Sequence, residues 1–192
     1  NPFTKGHRYL IETAAKQVDH LFVIPVKEDR SVFSYVERKK MIELGTDDLK
    51  NVTVCKGSAY TVSSSTFPSY FIKSLSDVTD SQIQLDLDIF THYIAPALNV
   101  SVRFVGSEPT DPLTNRYNEL MARLLPPRGI QLNVIERVGQ DGSAVSASRV
   151  RAALKNHSLS EAAALVVDST VPFLISRLAT CALQDELDTT PK

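Results

Sequence analysis

Asn1-Pro2-Phe3-Thr4-Lys5-Gly6-His7 opens the chain, and Val145-Ser146-Ala147-Ser148-Arg149-Val150-Arg151 stands near its end. The first stretch has the makings of a phosphate-binding helix start. Glycine has no Cβ, so Gly6 lets the backbone approach a ligand closely. The helix beginning beside it directs free N–H groups and a partial positive charge outward. The His7 imidazole can donate a hydrogen bond to an oxygen whose charge changes in a transition state, and Thr4 adds a hydroxyl at the same surface. Alone, such a stretch is more often an ordinary helix N-terminus with an incidental histidine.

The second stretch changes that balance. Ser146 and Ser148 suit a helix cap, Arg149 and Arg151 fall in the first turns, and Leu154 lies on the apolar side. Cations in a first turn oppose the helix dipole, so two arginines there suggest that an anion supplies the missing negative charge. By itself this is equally a serine-capped surface helix. Together the two stretches point to nucleotide binding.

In order and spacing the pair resembles the two signatures of the nucleotidylyltransferase superfamily, T/H-x-G-H and I-S-S-T-x-x-R, with Val145 and Ala147 departing from the pattern. More closely, the chain resembles the C-terminal catalytic domain of the citrate lyase ligase family. Seven collinear segments carry that resemblance: 1–10, 26–38, 66–73, 85–100, 103–109, 114–118 and 146–151. It implies a doubly wound parallel α/β sheet of Rossmann-like nucleotidylyltransferase type. It also implies an acid–thiol ligase that uses ATP with Mg²⁺, held mainly through phosphates, to activate acetate as acetyl adenylate. The acetyl group would pass to the thiol of a phosphoribosyl-dephospho-CoA group on the acyl carrier subunit of citrate lyase, with release of AMP and diphosphate.

The resemblance implies catalytic roles for Thr4, His7, Lys27 and Arg151. Phe3, Gly6, Gly106, Ser107, Glu108, Ser146 and Ser148 would bind the nucleotide, and no residue is assigned to a metal. Lys27 follows a strand and is equally a solvated lysine. Phe33 and Arg38 resemble an F-x-x-x-x-R element in which Arg38 braces the loop. Tyr117 and Asn118 belong to the nucleotide wall or to helix packing. Two rivals stay open: an adenylyltransferase acting on pantetheine phosphate or nicotinamide mononucleotide, and a non-catalytic nucleotide-binding fragment.

Composition sets bounds. The 192 residues are enough for one sizeable core. A formal charge of −1 argues against a dedicated nucleic-acid or membrane surface. No apolar run approaches a span of about 20 residues, and a cytoplasmic setting is expected. Cys55 and Cys181 form no metal or redox spacing and read as reduced thiols. His20, His92 and His157 read as structural or surface residues.

Apolar runs alternating with helical patterns predict a parallel α/β sheet. Strands are expected over 21–26, 52–56, 102–106 and 132–138, and helices over 6–17, 35–44, 83–98, 115–125, 148–155, 160–167 and 171–183. Residues 1–184 read as the catalytic domain and 185–192 as a polar, frayed tail. Phe67, Tyr70 and Phe71, between Ser58 and Asp88, suit a core or a site for the acyl acceptor. Asp86 and Asp88 fall on different helix faces and form no carboxylate pair. In the superfamily the strand before T-x-G-H is central, and this sequence starts where that strand has just ended. The first strand is therefore expected to be missing, leaving an apolar slot with unpaired backbone edges unless another segment fills it.

Overall fold

Four parallel strands carry the architecture, and they stand as two separate pairs. The structure, a computed structural model, describes residues 1–27, 29, 31–68, 70, 79–108, 110–137, 139–140 and 143–188. Phe71, Pro109, Val138 and the last residues of the expected tail lie outside them, as does the side chain of Cys181.

Helix α1 (Lys5–Ala15) leads to β1 (Leu21–Val23), α2 (Tyr35–Leu44) and β2 (Val52–Val54). Helix α3 (Thr79–Ile89) continues through a π-helical turn, Phe90–Ile94, and a short turn, Ala95–Ala97. Then come β3 (Val102–Gly106), α4 (Pro112–Leu124) and β4 (Gln131–Ile135), followed by the short strands β5 (Gly139–Gln140) and β6 (Ser143–Ala144). Helices α5 (Ala147–Lys155), α6 (Leu159–Ala164) and α7 (Val171–Asp188) end the described chain. Strand β1 pairs with β2 from Leu21↔Val52 to Val23↔Val54, and β3 pairs with β4 from Val102↔Gln131 to Gly106↔Ile135. Strands β5 and β6 form an antiparallel ribbon just ahead of α5.

Local chemistry sets most boundaries. Ser34 and Glu37 form a reciprocal capping box that starts α2. Asp111 accepts from the N–H groups of Leu113 and Thr114 and is followed by Pro112, so α4 begins three residues ahead of the expected start at Asn115. Strand β1 stops short of the expected Val26. Its last rung is the bond from Cys55 N–H to the Val23 carbonyl, and Pro25 has no N–H with which to continue. The long helix expected over 83–98 is interrupted because Pro96 cannot donate and the Ala95 N–H reaches back to the Phe90 carbonyl. Helix α7 runs on to Asp188, into the stretch read as a tail.

The core is divided as the sheet is. One apolar cluster joins Phe3, Ile11, Phe33, Met41, Val150 and Leu174 with β1 and β2. The other joins Phe67, Ile83, Leu87, Leu113, Leu120 and Met121 under β3 and β4. Between them lies a cleft of about 790 Å³, with Leu21, Phe22 and Ile24 among the residues of one wall and Val100, Val102 and Phe104 among those of the other. The Leu21 N–H and the Val23 carbonyl are bonded on the β2 side. By the alternation of a parallel ladder, Phe22 turns its own N–H and C=O into the cleft. The same reasoning from the bonds of Ser101 and Ser107 to β4 turns Val102 and Phe104 toward it. Arg103 also lines this cleft, and its Nη1 is buried with no hydrogen-bond partner.

Asp86, 2 % exposed, ties the aromatic segment to this second half. Its carboxylate accepts from Tyr117 Oη at 2.5 Å and from the Val62 N–H at 2.8 Å, which holds Val62 at a φ of 45° that a β-branched residue rarely adopts. Tyr117 Oη accepts in turn from Arg103 at 2.9 Å. Phe67 and Tyr70 pack with ring centroids 5.5 Å apart, and the fully buried Phe67 is a core residue. Asp88 faces elsewhere, pairing with Arg128. Among the described residues no helix is long and apolar enough to cross a membrane.

Candidate active site

Thr4 is the N-cap of α1, and the residue three positions on is His7 in place of the usual Glu or Gln. The Thr4 N–H donates to His7 Nδ1 at 3.0 Å, and Thr4 Oγ1 lies 3.0 Å from the same nitrogen. The Phe3 and His7 rings stack at 5.9 Å. An Nδ1 that accepts from a backbone N–H carries no proton, so the neutral ring holds its hydrogen on Nε2. The motif thus yields a histidine fixed in rotamer and tautomer, with Nε2–H as its donor. Crowding by protein atoms is the largest influence on His7 and pushes its pKa far down, and the charge of Arg137 acts in the same direction. Because the residue remains exposed, the bond into Nδ1 is the firmer reason for a neutral ring.

A measurable consequence follows at acid pH. Protonation would place a hydrogen on Nδ1 against the Thr4 N–H, so the folded state disfavours it. The stability this cap contributes is full above the unfolded-state pKa of about 6.5 and is lost as pH falls below it. Nitrogen-15 spectra of His7 are expected to show the neutral Nε2–H form still dominant at pH 5; a titration midpoint near that of an ordinary histidine would contradict the assigned tautomer.

The two terminal motifs meet. A Cβ placed on Gly6 would sit 2.9 Å from the Val145 carbonyl oxygen, so the missing side chain lets α1 lie against the strand end that feeds α5. Gly6 therefore serves an approach between the motifs. Ser146 caps α5 through the Arg149 N–H at 3.3 Å. Ser148 Oγ accepts from Arg151 Nη2 at 2.9 Å, and Arg151 Nη1 donates to the Asn1 carbonyl at 3.3 Å. Among the described residues Arg151 has no carboxylate partner. It lines an opening of about 450 Å³ with Asn1, Asp29, Ser31 and Val32. Asn1 Oδ1 is buried there without a partner.

The other expected residues fall into distinct positions. Phe3 is 4 % exposed, its ring lies against Gly45 and stacks with His7, and its carbonyl accepts from Thr170, so the ring supports the motif from the core side. Lys27 is exposed in the loop after β1 and is absent from the lining of the Arg151 opening. Arg38 donates to the carbonyls of Phe33 and Val26, bracing that loop as the sequence suggested. Gly106 ends β3 with open space where a Cβ would be, and its carbonyl accepts from Asn118. Ser107 extends the pairing of β3 with β4 through the Ile135 carbonyl.

Glu108 has a role that the sequence did not suggest. Burial raises the pKa of its carboxyl, but the donors of Thr110 and Asp111 and the nearby Arg137 outweigh this and hold it below the usual range. One oxygen accepts from Thr110 and Asp111 and the other from Arg137. The sequence did not single out Arg137, because only the paired ends of β3 and β4 bring it to Ser107 and Glu108. The larger cleft contains none of the motif residues, which sets it apart from this site.

The family model for the citrate lyase ligase C-terminal domain matches residues 1–174. The chain belongs to that family. It is 46 % identical over 179 residues to a [citrate [pro-3S]-lyase] ligase of Klebsiella pneumoniae, covering 91 % of this chain and 52 % of the relative. It is 45 % identical over 181 residues to the ligase of the same name from Escherichia coli (strain K12), covering 91 % and 51 %. The chain thus spans about half the length of the curated relatives it matches. A more distant likeness, 24 % identical over 151 residues, is to a phosphopantetheine adenylyltransferase of Streptococcus equi subsp. equi (strain 4047), covering 73 % of this chain and 90 % of the relative. With parallel strands and helices between them, an α/β fold of nucleotidylyltransferase type is common ground for both likenesses.

Proposed function

We propose that this chain is the adenylylating domain of an ATP-dependent ligase that acetylates the prosthetic thiol of the citrate lyase acyl carrier subunit. The observation that carries this reading is the meeting of Thr4–His7 with Arg151 across Asn1 and Val145, in a chain of the citrate lyase ligase family. An acetate oxygen attacks the α-phosphorus of ATP and the bond to diphosphate breaks, giving acetyl adenylate. The carrier thiolate then attacks the acyl carbon, forming the thioester and releasing AMP.

No protein nucleophile is needed, so the residues work by position and charge. Nε2–H of His7 donates to an α-phosphate oxygen as its charge rises. Thr4 acts through the ring it orients. Arg151 meets the outer phosphates, and Lys27 approaches them from the loop after β1. The backbone around Phe3 and Gly6, the open face at Gly106 and Ser107, and the cap residues Ser146 and Ser148 form the nucleotide wall. Among the described residues no group of three or more ligating side chains could hold a metal. Mg²⁺ would arrive on the phosphates and neutralise their charge.

The reading includes a complete doubly wound sheet. The facing edges of β1 and β3, the divided core and the orphan Arg103 Nη1 support a further parallel strand in the cleft, entering the motif at Asn1. Residues 1–184 would then be one catalytic domain in a cytoplasmic enzyme.

The direct test supplies the full-length protein with ATP, Mg²⁺, acetate and deacetylated carrier. Mass spectrometry should find one acetyl group on the prosthetic thiol; unmodified carrier with unspent ATP would overturn the reading. Arg151→Ala should weaken ATP and diphosphate binding about tenfold or more, since a charge-assisted contact contributes roughly 1.5–3 kcal/mol. Calorimetric titration checks this, and equal affinity would make Arg151 a helix-surface residue.

A further inference from the structure

Arg137 is exposed yet held at several points. Its N–H donates to Ser107 Oγ at 3.2 Å, its Nε to the Ser107 carbonyl at 2.6 Å, and its Nη2 to Glu108. These partners sit just beyond the carboxyl end of β3, and Arg137 lies two residues past the end of β4. At an exposed arginine, side-chain entropy normally opposes such fixation. The Glu108 side chain that restrains it is only 7 % exposed and is itself fixed by Thr110 and Asp111. Two guanidinium nitrogens are thus engaged, and Nη1 has no partner among the described residues.

Among the described residues Glu108 is the only carboxylate paired with Arg137. Beside it, Gly106 leaves open space above the strand end. Arg137 also adds positive charge at His7, the residue proposed above to face the α-phosphate, while Arg151 lines the opening beside Asn1.

We propose that Arg137 contacts the α-phosphate of the bound nucleotide through Nη1 and that Glu108 is its positioning residue. This rests on the nucleotide site proposed above and assigns the phosphate that remains after diphosphate leaves. A contact to that phosphate is kept in AMP, whereas a contact to the outer phosphates is not.

The experiment titrates AMP and ATP separately into the full-length protein and its variants by calorimetry. Arg137→Gln is expected to weaken both ligands by about tenfold or more, as loss of one charge-assisted bond does. Arg137→Lys should recover little, because an ammonium cannot hold Ser107 and Glu108 together and still present a third donor. Glu108→Gln should weaken AMP several-fold in the parent and add nothing in the Arg137→Gln background, a coupling that a merely structural role of Glu108 would not produce. AMP affinity within twofold of the parent in Arg137→Gln overturns the proposal, whatever happens to ATP. Should that variant fail to fold, the Arg137→Lys titration decides by the same criterion. AMP binding involves neither acetate nor carrier. A parent that binds AMP but shows no acetate-dependent reaction would defeat the proposed ligase and leave the Arg137 contact standing.

Discussion

His7→Ala, made in the full-length protein, is expected to lower the rate of adenylate formation by ~10²–10³ while changing ATP affinity little. The ring is held by the Thr4 N–H on one nitrogen and stacked on Phe3, so its other nitrogen is presented with little freedom to lose. A donor fixed in this way contributes mainly where charge develops on the phosphate, and its loss appears in turnover more than in binding. His7→Gln retains a donor without the fixed geometry and should recover only part of the rate. The check is single-turnover formation of acetyl adenylate beside equilibrium ATP titration. Unchanged turnover would remove His7 from the chemistry and leave it a helix cap.

A second large effect concerns the cleft between β1 and β3. With a strand seated there, the amides of Phe22, Val102 and Phe104 would lie in the centre of the sheet and open only with global unfolding. Domain stabilities of at least about 5 kcal/mol then imply exchange slowed by ~10³-fold or more relative to an unprotected amide. Native-state hydrogen exchange on the full-length protein, resolved to single amides, reads this directly. Near-unprotected exchange at all three would mean that the two half-sheets stay apart, and the doubly wound reading would fail with them.

Much of this architecture could be read from the residues. Helix α2 occupies the expected 35–44 and β3 the expected 102–106, because a capping box and an apolar run flanked by polar residues are local signals. Other features depended on distant partners. Asp86 looks like a surface carboxylate beside Asp88, and only the arrival of Tyr117, Val62 and Thr66 from other segments makes it a buried acceptor. Phe3 lies inside the motif, but whether its ring faces ligand or core depends on Gly45, which comes from the end of α2.

The site shows the same division. The local geometry of Thr4, Gly6, His7, Ser146 and Arg151 was legible because each sits in a short motif with a physical reason for its residue type. Even there, the approach that Gly6 permits is to Val145, a contact between segments far apart in the chain. The pairing of Glu108 with Arg137 was not legible. Their relation arises from the parallel pairing of β3 with β4, which brings two strand ends to one rim, and nothing in the spacing of residues 108 and 137 announces it.

Isotope exchange between ATP and labelled diphosphate in the full-length protein, run with acetate, with phosphopantetheine and with neither, tests the central claim most directly. The proposed ligase predicts exchange with acetate alone, lost in His7→Ala; exchange that requires phosphopantetheine and ignores acetate would contradict it.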